Sequence, residues 1–192
     1  MTRLLFILGT RPEAIKLAPL ISRFRQAPSN WSVEVCVTGQ HRQLIDPVLE
    51  FFDLRPEYDL KVMRPDQSLF SVSAAIIHNL ERVMEASRPD CVFVQGDTTT
   101  AFLGALGGFY KRSKIAHIEA GLRSHDKYSP YPEELNRQLV GRMADFHFAP
   151  TEAARQNLHD EGVQEGVWVV GNTVIDALHL GLNSIRQKGE SR

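Results

Sequence analysis

The sequence predicts an α/β fold built on a doubly wound, Rossmann-like parallel sheet. Short apolar runs typical of buried strands alternate along the 192 residues with longer segments whose apolar residues recur at helical spacing. Polar or glycine-containing turns follow several of these runs, as expected where a strand leads into a helix. Crossovers between parallel strands are right-handed, so helices should cover both faces of the sheet. The carboxyl ends of the strands should then meet at one edge, where sheets of this class bind ligands.

The first strand is predicted at Arg3–Leu8, an apolar run that ends at Gly9. The other predicted strands are short runs rich in residues that suit a sheet interior: Val33–Val37, Tyr58–Val62, Cys91–Val94, Lys114–Ile118, Phe146–Ala149 and Val167–Val170. Cys36 and Cys91 lie within such runs, so we expect two small buried apolar side chains and neither a disulfide framework nor a metal site.

The first helix is predicted at Glu13–Arg25, where the apolar residues form a stripe along one helical face. The remaining predicted helices separate the later strands: Gln43–Phe52, interrupted by Pro47, then Leu69–Ala86, capped by Ser68, and Thr99–Tyr110, Glu133–Ala144 and Thr151–Asp160. Three glycines within Thr99–Tyr110 indicate that this helix packs closely against a neighbouring element. Residues 120–132 are predicted to form a polar loop.

Composition and charge exclude several classes of protein. Lys plus Arg number 22 and Asp plus Glu 23, for a formal net charge of −1, which argues against a nucleic-acid-binding surface. No secretory signal is recognisable, and no apolar run approaches the length of a membrane span. The isolated histidines have no metal-ligand spacing. We therefore expect a cytoplasmic protein that binds neither nucleic acid nor membrane and holds no metal.

Residues 1–172 are predicted to form one Rossmann-like domain, and residues 173–192 a linker helix with a polar tail. The apolar residues of this last helix lie roughly on one face: Val174, Ile175, Leu178, Leu182 and Ile185. No strand is predicted after it. Two arrangements remain open, because the helix could dock back on the domain or connect it to a second domain.

The turn Gly9–Glu13 follows the first strand and leads into a helix. The free N–H groups and the positive dipole end of a helix N-terminus favour an anion. Arg11 adds a guanidinium that fits phosphate, and Lys16 lies near the start of the same helix. Neither G-x-G-x-x-G nor a Walker A sequence is present. The alternative is that Arg11 pairs with a surface carboxylate.

A second candidate site, Gln95–Thr100, follows the strand Cys91–Val94. Gly96 leaves the backbone accessible, and Asp97 lies where a catalytic carboxylate could reach a ligand. The alternative is structural, since an Asp followed by threonines at a helix start is an ordinary N-cap.

The densest cluster of charged residues lies between His117 and Arg137. Glu119 ends an apolar strand, which places a carboxylate at the ligand edge of the sheet. Glu133 and Glu134 begin a helix behind Pro132, where acidic residues also favour the helix dipole. That structural role accounts for Glu134 better than for Glu119. Several carboxylates in one cleft would have different pKa values and could divide the acid and base roles.

Seven segments in this order resemble the non-hydrolysing UDP-N-acetylglucosamine (UDP-GlcNAc) 2-epimerases: GTRPEAIKLAPL at 9–20, TGQH at 38–41, GDTTT at 96–100, HIEAGLRS at 117–124, PEELNR at 132–137, FAPTE at 148–152 and VGNTVIDA at 170–177. The resemblance implies that the chain is the N-terminal half of a two-domain GT-B fold, and that it lacks the C-terminal UDP-binding domain. It also implies interconversion of UDP-GlcNAc and UDP-N-acetylmannosamine (UDP-ManNAc), through loss and re-addition of UDP, for surface polysaccharide biosynthesis.

By motif match, the resemblance implies that Asp97, Glu119 and Glu133 are the catalytic carboxylates. It assigns substrate binding to Arg11, Lys16, His41 and Arg137, and it implies no metal or redox cofactor. A homodimer of the full-length protein and a separately encoded C-terminal half are further expectations. Two alternatives remain: a hydrolysing 2-epimerase that releases ManNAc and UDP, and a sugar-nucleotide-binding fragment without catalytic activity.

Overall fold

A computed structural model of the chain describes residues 1–27, 30–39, 42–64 and 66–190. Within those residues, seven strands form a single parallel sheet. The strands are β1 (Thr2–Leu8), β2 (Trp31–Val37), β3 (Tyr58–Asp59), β4 (Cys91–Gln95), β5 (Lys114–Ile118), β6 (Phe146–Ala149) and β7 (Val167–Val169). Six helices join consecutive strands, as the sequence predicts: α1 (Arg11–Gln26), α2 (Arg42–Phe51), α3 (Leu69–Ser87), α4 (Thr99–Tyr110), α5 (Glu133–Met143) and α6 (Glu152–Asp160). A seventh helix in the described residues, α7 (Val174–Glu190), follows the last strand.

The strand order is β3-β2-β1-β4-β5-β6-β7, and every pairing is parallel. The chain first builds outward from β1 to β3, then crosses back to β4 on the other side of β1 and continues outward to β7. The direction of winding therefore reverses between β1 and β4. In sheets of this kind, the loops that diverge at such a reversal leave a crevice for a ligand.

The strands alternate their side chains between two apolar layers. Leu4, Phe6 and Leu8 of β1 belong to the core under α1 and α2. Leu5 and Ile7 belong to the opposite core, under α3, α4 and α5. This period of two places a buried layer on each face, which is why the strands are almost continuously apolar.

The glycines of α4 allow the close packing that the sequence predicts. A Cβ atom on Gly104 would lie 3.0 Å from the Val94 side chain, and one on Gly108 would lie 3.1 Å from Val92. The predicted cap of α3 is also present, since the Ser68 hydroxyl accepts a hydrogen bond from Ser71 N at 3.2 Å.

Many element bounds lie one or two residues from the predicted ones, and α1, α2 and β3 are the informative cases. Helix α1 begins at Arg11, two residues before the predicted start at Glu13. Pro12 is tolerated there because backbone N–H groups in the first turn of a helix have no hydrogen-bond partner within the helix, so the N–H that proline lacks is not missed. Helix α2 continues through Pro47, which was expected to interrupt it. Strand β3 is only two residues long, and Lys61, within the predicted strand, adopts a left-handed conformation with φ 50°.

Helix α7 packs against α1, so the last helix docks back on the domain. Only part of its apolar stripe is covered by this contact. Ile175, Leu178 and Ile185 are 55%, 58% and 60% exposed. No helix in the described part of the chain is long and apolar enough to cross a membrane.

Gly121, in the loop after β5, is required for two separate reasons. Its φ of +88° is unfavourable for any residue with a side chain, and a Cβ atom there would lie 2.1 Å from the Ala154 carbonyl oxygen in α6. Gly162 has nearly the same φ, +86°, but a Cβ atom there would meet nothing within 4 Å. Comparing alanine substitutions at the two positions therefore separates the cost of backbone strain from the cost of steric overlap.

We expect Gly162→Ala to lower the free energy of unfolding by about 1 kcal/mol, the cost of a left-handed alanine. Gly121→Ala should lower it by about 3 kcal/mol, because the overlap with α6 adds about 1–3 kcal/mol. Urea unfolding followed by circular dichroism measures both values. Equal losses in the two variants would show that the loop after β5 moves freely away from α6.

Candidate active site at the carboxyl edge of the sheet

The candidate site lies where β1, β4 and β5 end, at the reversal of winding. Helix α1 begins directly after β1, and α4 follows β4 after the short segment Gly96–Thr98. Gly9 lets the end of β1 lie close to α4 and to the end of β2, since a Cβ atom on it would lie 2.3 Å from Thr100 Oγ1 and 2.4 Å from Thr38 Oγ1. These two buried hydroxyls are hydrogen-bonded to each other at 3.0 Å.

The buried carboxylate of Glu13 ties the loop after β1 to the loop after β4. It accepts hydrogen bonds from Gly9 N at 3.0 Å, from Thr10 N at 2.7 Å and from the Thr98 hydroxyl at 2.7 Å. Burial raises the pKa of Glu13, and the bonds from Thr98 and Thr10 offset part of that rise. Sequence reasoning did not single out Glu13, although Thr10 and Glu13 have the spacing of a capping box.

Glu119 lies at the centre of the site and is paired with Lys16. Lys16 Nζ donates to both carboxylate oxygens of Glu119, at 2.7 Å and 2.6 Å. Gln95 Nε2 donates to Oε2, and Asn172 Nδ2 donates to Oε1 at 2.7 Å. Glu119 has a left-handed backbone with φ 65°. The predicted location of Glu119 at the ligand edge therefore holds, and it brings two further residues, Gln95 and Asn172, into the site.

Asp97 forms a second ion pair beside the first. Its Oδ2 lies 2.6 Å from Arg137 NH2, and its backbone carbonyl accepts from Asn136 Nδ2 at 2.9 Å. The N-cap role considered for Asp97 belongs instead to the next residue, Thr98, whose hydroxyl accepts from Ala101 N at 3.0 Å. The Asp97 carboxylate is therefore available for another function.

The charges of the other predicted site residues act on the carboxyl group of Asp97 and affect its pKa. Burial raises it and the charge of Arg137 lowers it, while Glu133 and Glu119 raise it and Lys16 lowers it. The net effect is a raised pKa. The structure thus brings together the three carboxylates Asp97, Glu119 and Glu133 with two of the predicted cations.

Glu134 has a structural role that its position at a helix start did not reveal. It is buried in the first turn of α5 and accepts from Ser124 N at 3.0 Å and from Gln138 Nε2 at 2.9 Å. It also lies 3.5 Å from Arg137 NH1. Glu134 therefore fixes the loop after β5 and helps to hold the guanidinium that faces Asp97.

Arg11 is exposed at the first residue of α1 and borders an apolar groove between α1, α2 and α7. None of the ion pairs among the described residues includes Arg11, so the surface pairing considered for it is not seen there. His41 lies outside the described residues. No group of three or more His, Cys, Asp or Glu side chains in the described ranges could hold a metal ion.

The side chain of His117 contacts the backbone of the loop after β4. Its Nε2 lies 2.7 Å from the Gly96 carbonyl oxygen, directly before Asp97. Complete burial lowers the pKa of His117 to about 3, which the bond to Gly96 only partly offsets, so the ring is neutral at pH 7 and Nε2 carries the proton that it donates. Within the described part of the chain, His117 Nδ1 has no hydrogen-bond partner.

Comparison with known proteins identifies relatives with one common description. The family model for UDP-N-acetylglucosamine 2-epimerases matches residues 24–192. The UDP-N-acetylglucosamine 2-epimerase of Salmonella borreze is 50% identical over 186 residues, which cover 96% of this chain and 49% of that protein. The chain spans about half the length of the curated relatives it matches.

Solved structures give the same match. The UDP-GlcNAc 2-epimerase of Neisseria meningitidis, bound to UDP-GlcNAc, aligns with a TM-score of 0.92 and 46% identity, over 96% of this chain and 50% of that one. The Methanocaldococcus jannaschii UDP-GlcNAc 2-epimerase, in complex with UDP-GlcNAc and UDP, aligns with a TM-score of 0.85 and 38% identity, over 92% and 48%. The predicted fold, a Rossmann-like sheet forming the N-terminal half of a GT-B fold, is confirmed.

The buried neutral His117 predicts an acid dependence of stability. His117 binds a proton below about pH 6.5 in the unfolded chain, but only below about pH 3 in the folded chain. The free energy of unfolding should therefore rise with pH between these two values and reach its full value above about pH 6.5. The slope from one such group is about 1.4 kcal/mol per pH unit. Urea unfolding at pH 4, 5, 6 and 7 measures it.

His117→Gln keeps an N–H group for the Gly96 carbonyl but binds no proton, so its unfolding free energy should depend less steeply on pH. His179→Gln, the same change at an exposed position, is the matched control and should keep the wild-type slope. Identical slopes for His117→Gln and the wild type would contradict the assignment of a buried neutral ring.

Proposed function

The chain belongs to the UDP-N-acetylglucosamine 2-epimerase family, and we propose that it is the carboxylate-bearing N-terminal half of a non-hydrolysing UDP-GlcNAc 2-epimerase. The full-length protein would interconvert UDP-GlcNAc and UDP-ManNAc and supply ManNAc units for surface polysaccharides. The observation that carries this proposal is the grouping of Asp97, Glu119 and Glu133 with Lys16 and Arg137 at the winding reversal of the sheet.

The reaction requires these charged residues because sugar C2 is not adjacent to a carbonyl, so direct removal of its proton is difficult. When the C1–O bond breaks, its electron pair leaves with UDP and positive charge develops at C1, which makes the C2 proton more acidic. A carboxylate accepts that proton, and 2-acetamidoglucal with a C1–C2 double bond results. Return of a proton to the opposite face of C2, with re-addition of UDP at C1, completes the epimerisation.

The described residues can stabilise both the positive charge that develops at C1 and the negative charge of the departing diphosphate. Carboxylates stabilise a positively charged C1, and the raised pKa of Asp97 suits a group that first accepts and later returns a proton. Arg11, exposed at the N-terminus of α1, supplies a guanidinium and a helix dipole for the departing diphosphate. Lys16 provides further positive charge from the same helix, next to Glu119.

The second half of the protein is needed to exclude water from this cleft. Charge stabilisation by fixed groups is strongest where water is excluded, and the site lies at an open edge of the sheet. We therefore propose that the 192-residue chain alone has little or no epimerase activity. Homodimerisation and a cytoplasmic location remain predictions, as do the boundary at residue 172 and the role of His41 in substrate binding.

A ¹H NMR time course of UDP-GlcNAc in D₂O distinguishes the candidate activities. A protein that carries this chain as its N-terminal half should form UDP-ManNAc with deuterium at C2. Free ManNAc together with UDP would instead identify a hydrolysing 2-epimerase. The 192-residue chain alone should leave the substrate spectrum unchanged, and epimerisation at an appreciable rate by that chain would contradict the requirement for a second half.

In the full-length protein, Asp97→Asn and Glu119→Gln should each lower kcat at least about 100-fold, because each change removes a carboxylate while keeping its shape. Glu152→Gln is the matched control, since Glu152 is exposed in α6 and pairs only with Arg155 in the described residues. It should retain wild-type turnover. Near wild-type kcat values in both site variants would refute the assigned roles.

A further inference from the structure

Asn172 connects the start of α7 to the central carboxylate of the site. It lies between β7 and α7, and its side-chain amide makes two hydrogen bonds of opposite polarity. The oxygen Oδ1 accepts from Val174 N at 3.0 Å, in the first residue of the helix. The nitrogen Nδ2 donates to Glu119 Oε1 at 2.7 Å. One side chain therefore both caps the helix and contacts Glu119.

The donors around Glu119 come from three separate parts of the chain. Lys16 of α1 contacts both oxygens, Gln95 of β4 contacts Oε2, and Asn172 contacts Oε1. Lys16 supplies the opposing charge. The two amides add no charge, so their effect is to fix the direction of the carboxylate plane. Each oxygen consequently has one amide donor and the shared ammonium.

We propose that Asn172 is a positioning residue for catalysis, which acts by donating a hydrogen bond that orients Glu119. This rests on the proposed function, in which Glu119 must face sugar C1 and C2. A charge-assisted hydrogen bond at 2.7 Å restricts rotation of the carboxylate, and reaction rates depend steeply on such alignment. Because the same amide accepts a hydrogen bond from Val174 N, the position of the donor is tied to the start of α7.

The competing explanation is that Asn172 serves only to cap the start of α7, since an asparagine side chain commonly accepts a hydrogen bond from the backbone N–H two residues on. The two roles need different atoms of the same amide. Asn172→Asp keeps an acceptor for Val174 N but replaces the donor to Glu119 with a second carboxylate oxygen. Asn172→Ala removes both groups.

The two roles therefore predict opposite orders of activity. A positioning role predicts that Asn172→Asp loses at least as much kcat as Asn172→Ala, with a loss of tenfold or more in both and KM changed less than about twofold. A capping role alone predicts wild-type kcat for Asn172→Asp and a loss confined to Asn172→Ala. Asn183→Asp, the same change at an exposed position of α7, is the control and should leave kcat unchanged.

The hydrogen bond itself can be measured without turnover. In the ¹⁵N-labelled 192-residue chain, the two Asn172 amide protons should be widely separated in chemical shift, because one is bonded to the Glu119 carboxylate. Glu119→Ala should bring them together and leave the Asn183 amide unaffected. An Asn172 amide that does not respond to Glu119→Ala would overturn the proposal.

The two measurements separate failure of this proposal from failure of the proposed function. If the full-length wild-type protein does not turn over UDP-GlcNAc while the Asn172 amide responds to Glu119→Ala, the contact is real and the proposed function is wrong. The positioning role then falls with it. If the wild type is active and Asn172→Asp retains its kcat, the proposed function stands and Asn172 is a cap only.

Discussion

The hydrogen bonds to the buried carboxylate of Glu13 hold together the two loops on which the site depends. Removing a carboxylate from water is costly unless hydrogen bonds compensate it, and Gly9, Thr10 and Thr98 supply them from both sides of the winding reversal. No cation among the described residues pairs with Glu13. The loops after β1 and β4 are thereby fixed relative to each other, so Lys16 on one side and Asp97 on the other are held at a set separation.

The two central carboxylates have different surroundings. Glu119 receives bonds from one ammonium and two neutral amides, whereas Asp97 shares a single guanidinium and is desolvated enough for burial to raise its pKa. Unequal environments allow adjacent carboxyl groups to be in different protonation states during a reaction. The neutral ring of His117 holds the Gly96 carbonyl, next to Asp97 in the sequence, and adds no positive charge there.

The sequence predicts the elements well and their side-chain partners poorly. Apolar periodicity reports burial directly, so the strands and helices appear close to their predicted bounds. The same pattern places Lys16 and Glu119 near the ligand edge, but their pairing joins residues 103 positions apart and leaves no local signal. Asn172 looks like any residue before a helix, because its contact with Glu119 depends on how β7 and β5 both align with β6, the strand between them. Glu134 looks like an ordinary acidic residue at a helix start, because its hydrogen bond from Ser124 N depends on the path of the loop between β5 and α5.

The wide spacing of the donors to Glu119 also determines when the site can form during protein synthesis. Lys16, Gln95 and Asn172 come from the beginning, the middle and the end of the folded domain, and Asn172 follows the last strand of the sheet. A nascent chain must therefore release almost the whole domain from the ribosome before Glu119 acquires its last donor. Until then, this carboxylate can receive hydrogen bonds from Lys16 and Gln95 but not the one from Asn172.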